Sequence, residues 1–172
     1  VKSAPEIEQL AKTVKNNGGV TFIPALSGLG APFWDPHATG AIMGITRGTK
    51  KGHIARAALE SIALRSRDII LEMEKDANTK FHSLKVDGGA SKNNLLMQIQ
   101  ADLLKTKVIR PKITETTALG AAFFSGLSTE FWPSINSIND MWEEDQSFVP
   151  KLSDSKSNII SMWEKRVLKV LS

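Results

Sequence analysis

The sequence predicts an α/β fold in layers. Three observations carry this. Short apolar runs alternate with segments of helical period along most of the chain, from Val20 to Gly126. The apolar runs are bounded by glycine, proline or asparagine, as at Asn16-Asn17-Gly18-Gly19, Gly88-Gly89 and Pro111. At 172 residues and 41% hydrophobic content, the chain is large enough to bury one real core.

Taken in order, Ser3-Ala-Pro-Glu6 reads as a capping box with proline in the first turn. Ile7, Leu10, Ala11 and Val14 follow at helical spacing, and the Asn-Asn-Gly-Gly run stops that helix. Val20 to Leu26 is a strand, which Pro24 assigns to an edge or a bulge. Ser27 to Gly40 is a loop rich in glycine, proline and aromatics, and Ala41 to Thr46 is a second strand. A long helix runs from about Lys51 to Glu74, with an apolar stripe at Ile54, Ala57, Ala58, Ile62 and Ile69. Ser83 to Val86 is a short strand, Asn93 to Lys105 a helix, and Val108-Ile109 a strand stopped by Pro111. Thr117 to Gly126 is a helix whose Ala118, Gly120, Ala121 and Ala122 would let it lie close to a sheet. Beyond Pro133 the pattern weakens: a short helix over Ser137 to Glu144, a polar loop over Gln146 to Ser157, and a last amphipathic helix from Asn158 to Leu171. The chain is read as one domain over 1–172, with a core of about 20–132 and a helical extension of about 133–172.

Composition narrows the function. Lys plus Arg number 22 against 18 Asp plus Glu, a formal charge of +4, and the basic residues are scattered without interleaved aromatics. This argues against nucleic acid as a partner. There is no cysteine, so disulfides and thiolate metal sites are excluded, and a reducing, cytoplasmic compartment is expected. His37, His53 and His82 lack the spacing of a helical metal pair, and no metal ligand is assigned. No apolar run approaches the roughly 18 residues that cross a bilayer, so no membrane partner is expected. The amphipathic start has no signal-peptide core, and the first residue is not Met, as expected of a piece of a longer protein.

The run from Leu84 to Asn94, Leu-Lys-Val-Asp-Gly-Gly-Ala-Ser-Lys-Asn-Asn, carries the chemistry. A strand ends at paired glycines and a helix follows. Gly88 and Gly89 lack Cβ, so a ligand can approach the backbone closely. The N–H groups of the next helix favour an anion such as phosphate. The amides of Asn93 and Asn94 suit the edge of an adenine ring. The same run is also compatible with an ordinary tight turn. Two further segments stand out. Gly40-Ala-Ile-Met-Gly-Ile45 lies seven residues before His53-Ile-Ala-Arg-Ala-Ala-Leu-Glu60, and Glu60, Arg65, Arg67 and Asp68 read as a solvated charge ladder. In Pro24 to Pro36, Phe33 and Trp34 sit beside prolines, a stiff loop expected to pack under the domain or to line a cleft.

In this order, these segments resemble the glycerol-phosphorylating members of the FGGY carbohydrate kinase family. The Gly40 to Glu60 spacing is similar to the family's C-terminal signature, and Val86-Asp-Gly-Gly-Ala-Ser91 is similar to the adenosine motif of actin-like ATPases. Gly28-Leu-Gly-Ala-Pro-Phe-Trp-Asp-Pro36, Leu59-Glu-Ser-Ile-Ala63 and Glu115-Thr-Thr-Ala-Leu-Gly-Ala-Ala122 favour the glycerol branch. The resemblance runs from about Pro24 to Trp132. It implies an actin-like (ribonuclease H-like) ATPase domain, the C-terminal one of two around a cleft. ATP and Mg²⁺ would bind in that cleft, and the γ-phosphoryl group would pass to glycerol. The nucleotide-binding residues it implies are Gly88, Gly89, Ala90 and Asn93: Gly89 would meet the nucleotide phosphates and Asn93 the adenine side, while Gly88 would shape the loop. The phosphate hairpin, the glycerol contacts and the carboxylate base would precede this segment, so no catalytic residue is assigned and the chain alone is expected to be inactive. Asp35 and Asp87 are the tempting alternatives for a base, Asp87 fitting better as a cap for the helix after Gly89. A homo-oligomer of the full-length protein is expected. Alternative readings are another sugar or polyol kinase of the family, a non-catalytic nucleotide-binding module, and a dimerisation domain using Trp132, Trp142 and Trp163.

Overall fold

The computed structural model describes residues 3–139, 141–151 and 155–172. Its elements are α1 (Ala4–Lys12), β1 (Thr21–Ile23), β2 (Ala41–Met43), α2 (Lys51–Asp76), β3 (Ser83–Lys85), a 3-10 turn (Gly89–Lys92), α3 (Asn94–Leu104), β4 (Lys107–Pro111), α4 (Thr116–Ser128), α5 (Ile135–Asn139), β5 (Glu144–Phe148) and α6 (Ser155–Val167). β1 and β2 form an antiparallel pair. β3 and β4 are parallel, joined through α3, and β5 adds antiparallel to β4. A parallel pair needs such a crossover, so the β3–α3–β4 unit delivers the expected α/β alternation.

The core gathers on α2. Ala55, Leu59, Ala63 and Leu64 of α2 are buried with Ala11, Ile23, Leu29, Leu96, Met97 and Leu103. This face is offset from the expected stripe: Ile62 and Ile69 are 45% and 40% exposed. The reason is that α2 is covered by α1, β1 and α3. A helix with several covered sides has no single apolar stripe to read. The crossing with α1 is close at Gly52, where a Cβ would lie 2.5 Å from the Thr13 hydroxyl and 2.9 Å from the Leu10 carbonyl. The start of α2 is capped by His53, whose Nδ1 accepts from the Lys50 N–H at 3.1 Å. Ser3 does occupy the N-cap of α1, but without a side-chain capping bond.

The charged residues of α2 are not a solvated ladder. Glu60 is 3% exposed and accepts from Asn17 Nδ2 at 2.8 Å and Arg56 Nε at 3.0 Å. Asp68 accepts from Arg65 and, at 3.0 Å, from the indole N–H of Trp163 on α6. Burial drives both carboxyls above their ordinary pKa, offset in part by these partners. Trp163 is thus a core residue rather than an interface residue. Arg166 ties α6 to the Gly19 carbonyl at 2.7 Å and the Thr21 hydroxyl at 2.8 Å.

The polar run after Gln146 is also not all loop. Its start lies in β5, and α6 begins at Ser155. The strand reads Glu-Asp-Gln-Ser-Phe with only Phe148 buried, so it shows no period-2 hydrophobic signal. No described helix is long and apolar enough to cross a membrane.

Candidate nucleotide site

The entry to the glycine loop is held by β4 and by the segment that follows it. The Val86 N–H bonds the Ile109 carbonyl at 3.0 Å, extending the β3–β4 pairing, and the Gly88 N–H bonds the Thr114 carbonyl at 2.7 Å. Gly88 has φ +74°, a conformation that L side chains rarely adopt, so the turn selects glycine there. The Ser91 hydroxyl donates to the Gly88 carbonyl at 2.7 Å and closes the 3-10 turn. Asn93 then caps α3: its Oδ1 accepts from the Leu96 N–H at 2.9 Å.

This loop forms the floor of a cavity of about 500 Å³. Gly89, Ala90, Lys92 and Asn93 line it from the loop, Leu96 from α3, Leu59 and Ile62 from α2, and Pro5, Ile7 and Glu8 from α1. Three of the four expected nucleotide-binding residues, Gly89, Ala90 and Asn93, therefore face one cavity. The fourth, Gly88, is not among the lining residues and sets the turn through its positive φ. A Cβ built on Gly89 would meet nothing within 4 Å, so this stretch of backbone is open to a ligand. Walls of proline, isoleucine and leucine around one open backbone segment suit a flat aromatic base with a polar tail. The exposure of Ile62 has its explanation here.

The structure corrects three expectations about this segment. At the N-terminus of α3, the Leu95 and Leu96 N–H groups are taken by acceptors of the chain itself rather than left for an outside anion. Glu8 Oε1 accepts from the Leu95 N–H at 3.2 Å, Asn93 takes the next, and the Met97 N–H bonds the Asn93 carbonyl. A carboxylate of the protein already occupies the positive end of that helix. Asn94 is not on the cavity wall: its Oδ1 accepts from Arg110 at 2.8 Å. Asp87 does not cap the turn after Gly88 but accepts from the Thr116 hydroxyl at the start of α4.

Asp35 is not placed as a base either. It accepts from the His37 and Ala38 N–H groups at 2.9 and 3.0 Å and from the N–H and hydroxyl of Ser172. The bond from the Ser172 N–H is the largest influence holding its carboxyl below the usual range. Its loop packs in part, since Phe33 lies under Arg65 at 5.3 Å, while Trp34 is 77% exposed. Asp35, Trp34, His37 and Ser172 line a separate cavity of about 280 Å³. Among the described residues, no three His, Cys, Asp or Glu side chains are grouped to hold a metal ion.

Two residues of the site were not read from the sequence. Glu8 carries no motif and reaches α3 only through the α1–α2 packing. Arg110 lies just past the apolar Val108-Ile109 pair read as the strand, and its partners come from three separate segments.

Comparison with known proteins gives the family of the chain. Residues 2–128 match the C-terminal domain of the FGGY family of carbohydrate kinases. The chain is 55% identical over 168 residues to a glycerol kinase of Nitratidesulfovibrio vulgaris, covering 97% of this chain and 34% of that protein. It is 54% identical over 167 residues to glycerol kinase 2 of Sulfolobus acidocaldarius, covering 96% and 34%. The chain thus spans about a third of the length of the curated relatives it matches. Among solved structures, Plasmodium falciparum glycerol kinase with ADP superposes with a TM-score of 0.87 at 35% identity, over 100% of this chain and 35% of that one. A gluconate kinase of Lactobacillus acidophilus, at 22% identity and TM-score 0.76 over 98% of this chain and 34% of that one, shares the fold.

Proposed function

This chain belongs to the FGGY family of carbohydrate kinases, and on that premise we propose that it is the ATP-holding C-terminal part of a glycerol kinase. The observation that carries the reading is the cavity in which Gly89, Ala90 and Asn93 converge under apolar walls. Identity of 53–55% to glycerol kinases over nearly the whole chain favours glycerol as the acceptor, and the ADP in the Plasmodium structure favours an adenine nucleotide.

In this reading Pro5, Ile7, Leu59 and Ile62 sandwich the base and exclude water. Asn93, fixed by its cap bond to Leu96, stands at the adenine side. The bare backbone of Gly89 admits the phosphates. ATP, when bound, would supply the phosphoryl group and Mg²⁺ would neutralise charge on it; no described residues of this chain are grouped to hold that ion. Phosphoryl transfer depends on positioning and charge neutralisation. Neither Asp35 nor Asp87 lines the cavity, and the base is assigned with the rest of the polypeptide. The absence of cysteine supports a cytoplasmic setting.

Two measurements test this. The complete polypeptide should convert glycerol to sn-glycerol 3-phosphate with ATP, in preference to gluconate, xylulose and other polyols. The 172-residue chain should bind ADP without turnover. Gly89→Val should abolish that binding while leaving stability within about 0.5 kcal/mol, because its side chain enters open space. Nucleotide affinity unchanged by Gly89→Val, or turnover by the 172-residue chain, would sink the assignment.

A further inference from the structure

We infer that Arg110 is a positioning residue for the nucleotide loop. This rests on the reading of that loop as a nucleotide site. Arg110 stands on β4, 9% exposed, behind the cavity rather than in it. Its NH1 donates to the Ser91 carbonyl and to Asn94 Oδ1, both at 2.8 Å. One nitrogen therefore joins the end of the 3-10 turn to the first residue of α3, and Asn93, the cavity-lining residue, lies between these two attachment points. The other side of the guanidinium is fixed from β5, by Asp145 Oδ2 at 2.7 Å and Gln146 Oε1 at 3.1 Å. The Phe148 ring lies 5.6 Å away.

A planar guanidinium can satisfy these directions together, whereas an ammonium on a flexible stem cannot hold the same fork. The charge is consumed by the Asp145 pair, so Arg110 acts on loop geometry and not by pulling on phosphate. The arrangement also gives β5 a role: it aims the side chain that sets the loop. Rigid support of this kind matters because a small displacement of a contacting group costs large factors in affinity or rate.

The test uses the complete polypeptide with Arg110→Lys, Asn94→Ala and, as a control on the same strand, Lys107→Ala, whose side chain pairs loosely with Glu144 at 4.0 Å. Arg110→Lys should raise the KM for ATP and the Kd for ADP by about tenfold or more, and Asn94→Ala by about threefold. The KM for glycerol should stay within about twofold in both, and Lys107→Ala should behave as the unaltered protein. A purely structural role would lower the active fraction, and so kcat, with the ATP KM unchanged. That pattern, or variants indistinguishable from the unaltered protein, would overturn the inference. Should Arg110→Lys fail to fold, Asn94→Ala on its exposed site decides by the same criterion. Loss of ADP binding in the unaltered polypeptide would overturn the nucleotide reading itself, whereas intact binding with an unmoved ATP KM in the variants overturns only the role of Arg110.

Discussion

The helices on either side of β4 in sequence make the clearest contrast in the molecule. α3 buries Leu96, Met97, Ile99, Gln100, Ala101 and Leu103. α4 is as apolar in sequence, Thr-Thr-Ala-Leu-Gly-Ala-Ala-Phe-Phe-Ser-Gly-Leu-Ser, yet among its described residues only Gly126 is buried, and Phe124 is 77% exposed. Its small residues, expected to press on a sheet, meet nothing there: a Cβ on Gly120 would have no neighbour within 4 Å. β3, the edge strand nearest the glycine loop, likewise pairs on one side only among the described residues. Composition tells which residues want burial; it does not tell whether the covering surface lies within these 172 residues. The relatives are about three times as long, and we propose that their additional chain covers α4.

The largest expected effect separates the packed half from the open one. Trp163 is 1% exposed and its N–H satisfies the buried Asp68. Trp163→Ala should cost about 3–5 kcal/mol, from lost burial, a cavity and the loss of one of the hydrogen bonds that the buried Asp68 accepts. Phe124→Ala should change stability of the 172-residue chain by no more than about 0.5 kcal/mol. Urea unfolding of both variants checks this, and equal losses would erase the contrast. The Phe124 substitution should become costly only in the complete polypeptide.

Native-state hydrogen exchange sharpens the same comparison without mutation. Amides of α3 should open only with global unfolding, while those of α4 should exchange through local fraying, since few buried side chains hold it. In the complete polypeptide the α4 amides should slow towards those of α3. Protection of α4 in the short chain equal to that of α3 would show that α4 is stabilised by something other than burial.

Much of the candidate site was legible because backbone chemistry dictates it. Paired glycines after a strand, with an asparagine four residues later, specify a turn, an open backbone and a cap, and Gly88, Gly89 and Asn93 occupy those roles. The alternation of elements was legible for the same reason, up to Pro111. Tertiary partners were not legible. Glu60 and Asp68 look like surface charges until Asn17, Arg56 and Trp163 arrive from other segments. The Glu8 carboxylate at the start of α3 and the Arg110 clamp depend on neighbours 87 and 16 residues away. β5 escaped because an edge strand with one buried residue has no apolar rhythm.

Smaller effects come from the buried and clamped carboxyls, and they carry opposite signs with pH. Asp35 is held below its ordinary pKa by the hydrogen bonds it accepts, the one from the Ser172 N–H foremost. Its contribution is present above the ordinary carboxylate range and lost as pH falls through the lowered folded value. Asp35→Asn should therefore lower the Tm at neutral pH, and the gap to the unaltered protein should close towards acid. Glu60 is raised, chiefly by burial. Its contribution is fullest when it is protonated, below the ordinary glutamate range, and is lost as pH rises through the raised folded value. Glu60→Gln stays neutral throughout and keeps an acceptor for Asn17. The Tm of the variant relative to the unaltered protein should therefore rise between about pH 4 and about pH 7. A relative Tm that falls over that range would mean that the Arg56 pair outweighs burial, and that Glu60 stabilises α2 as an ion rather than despite being one.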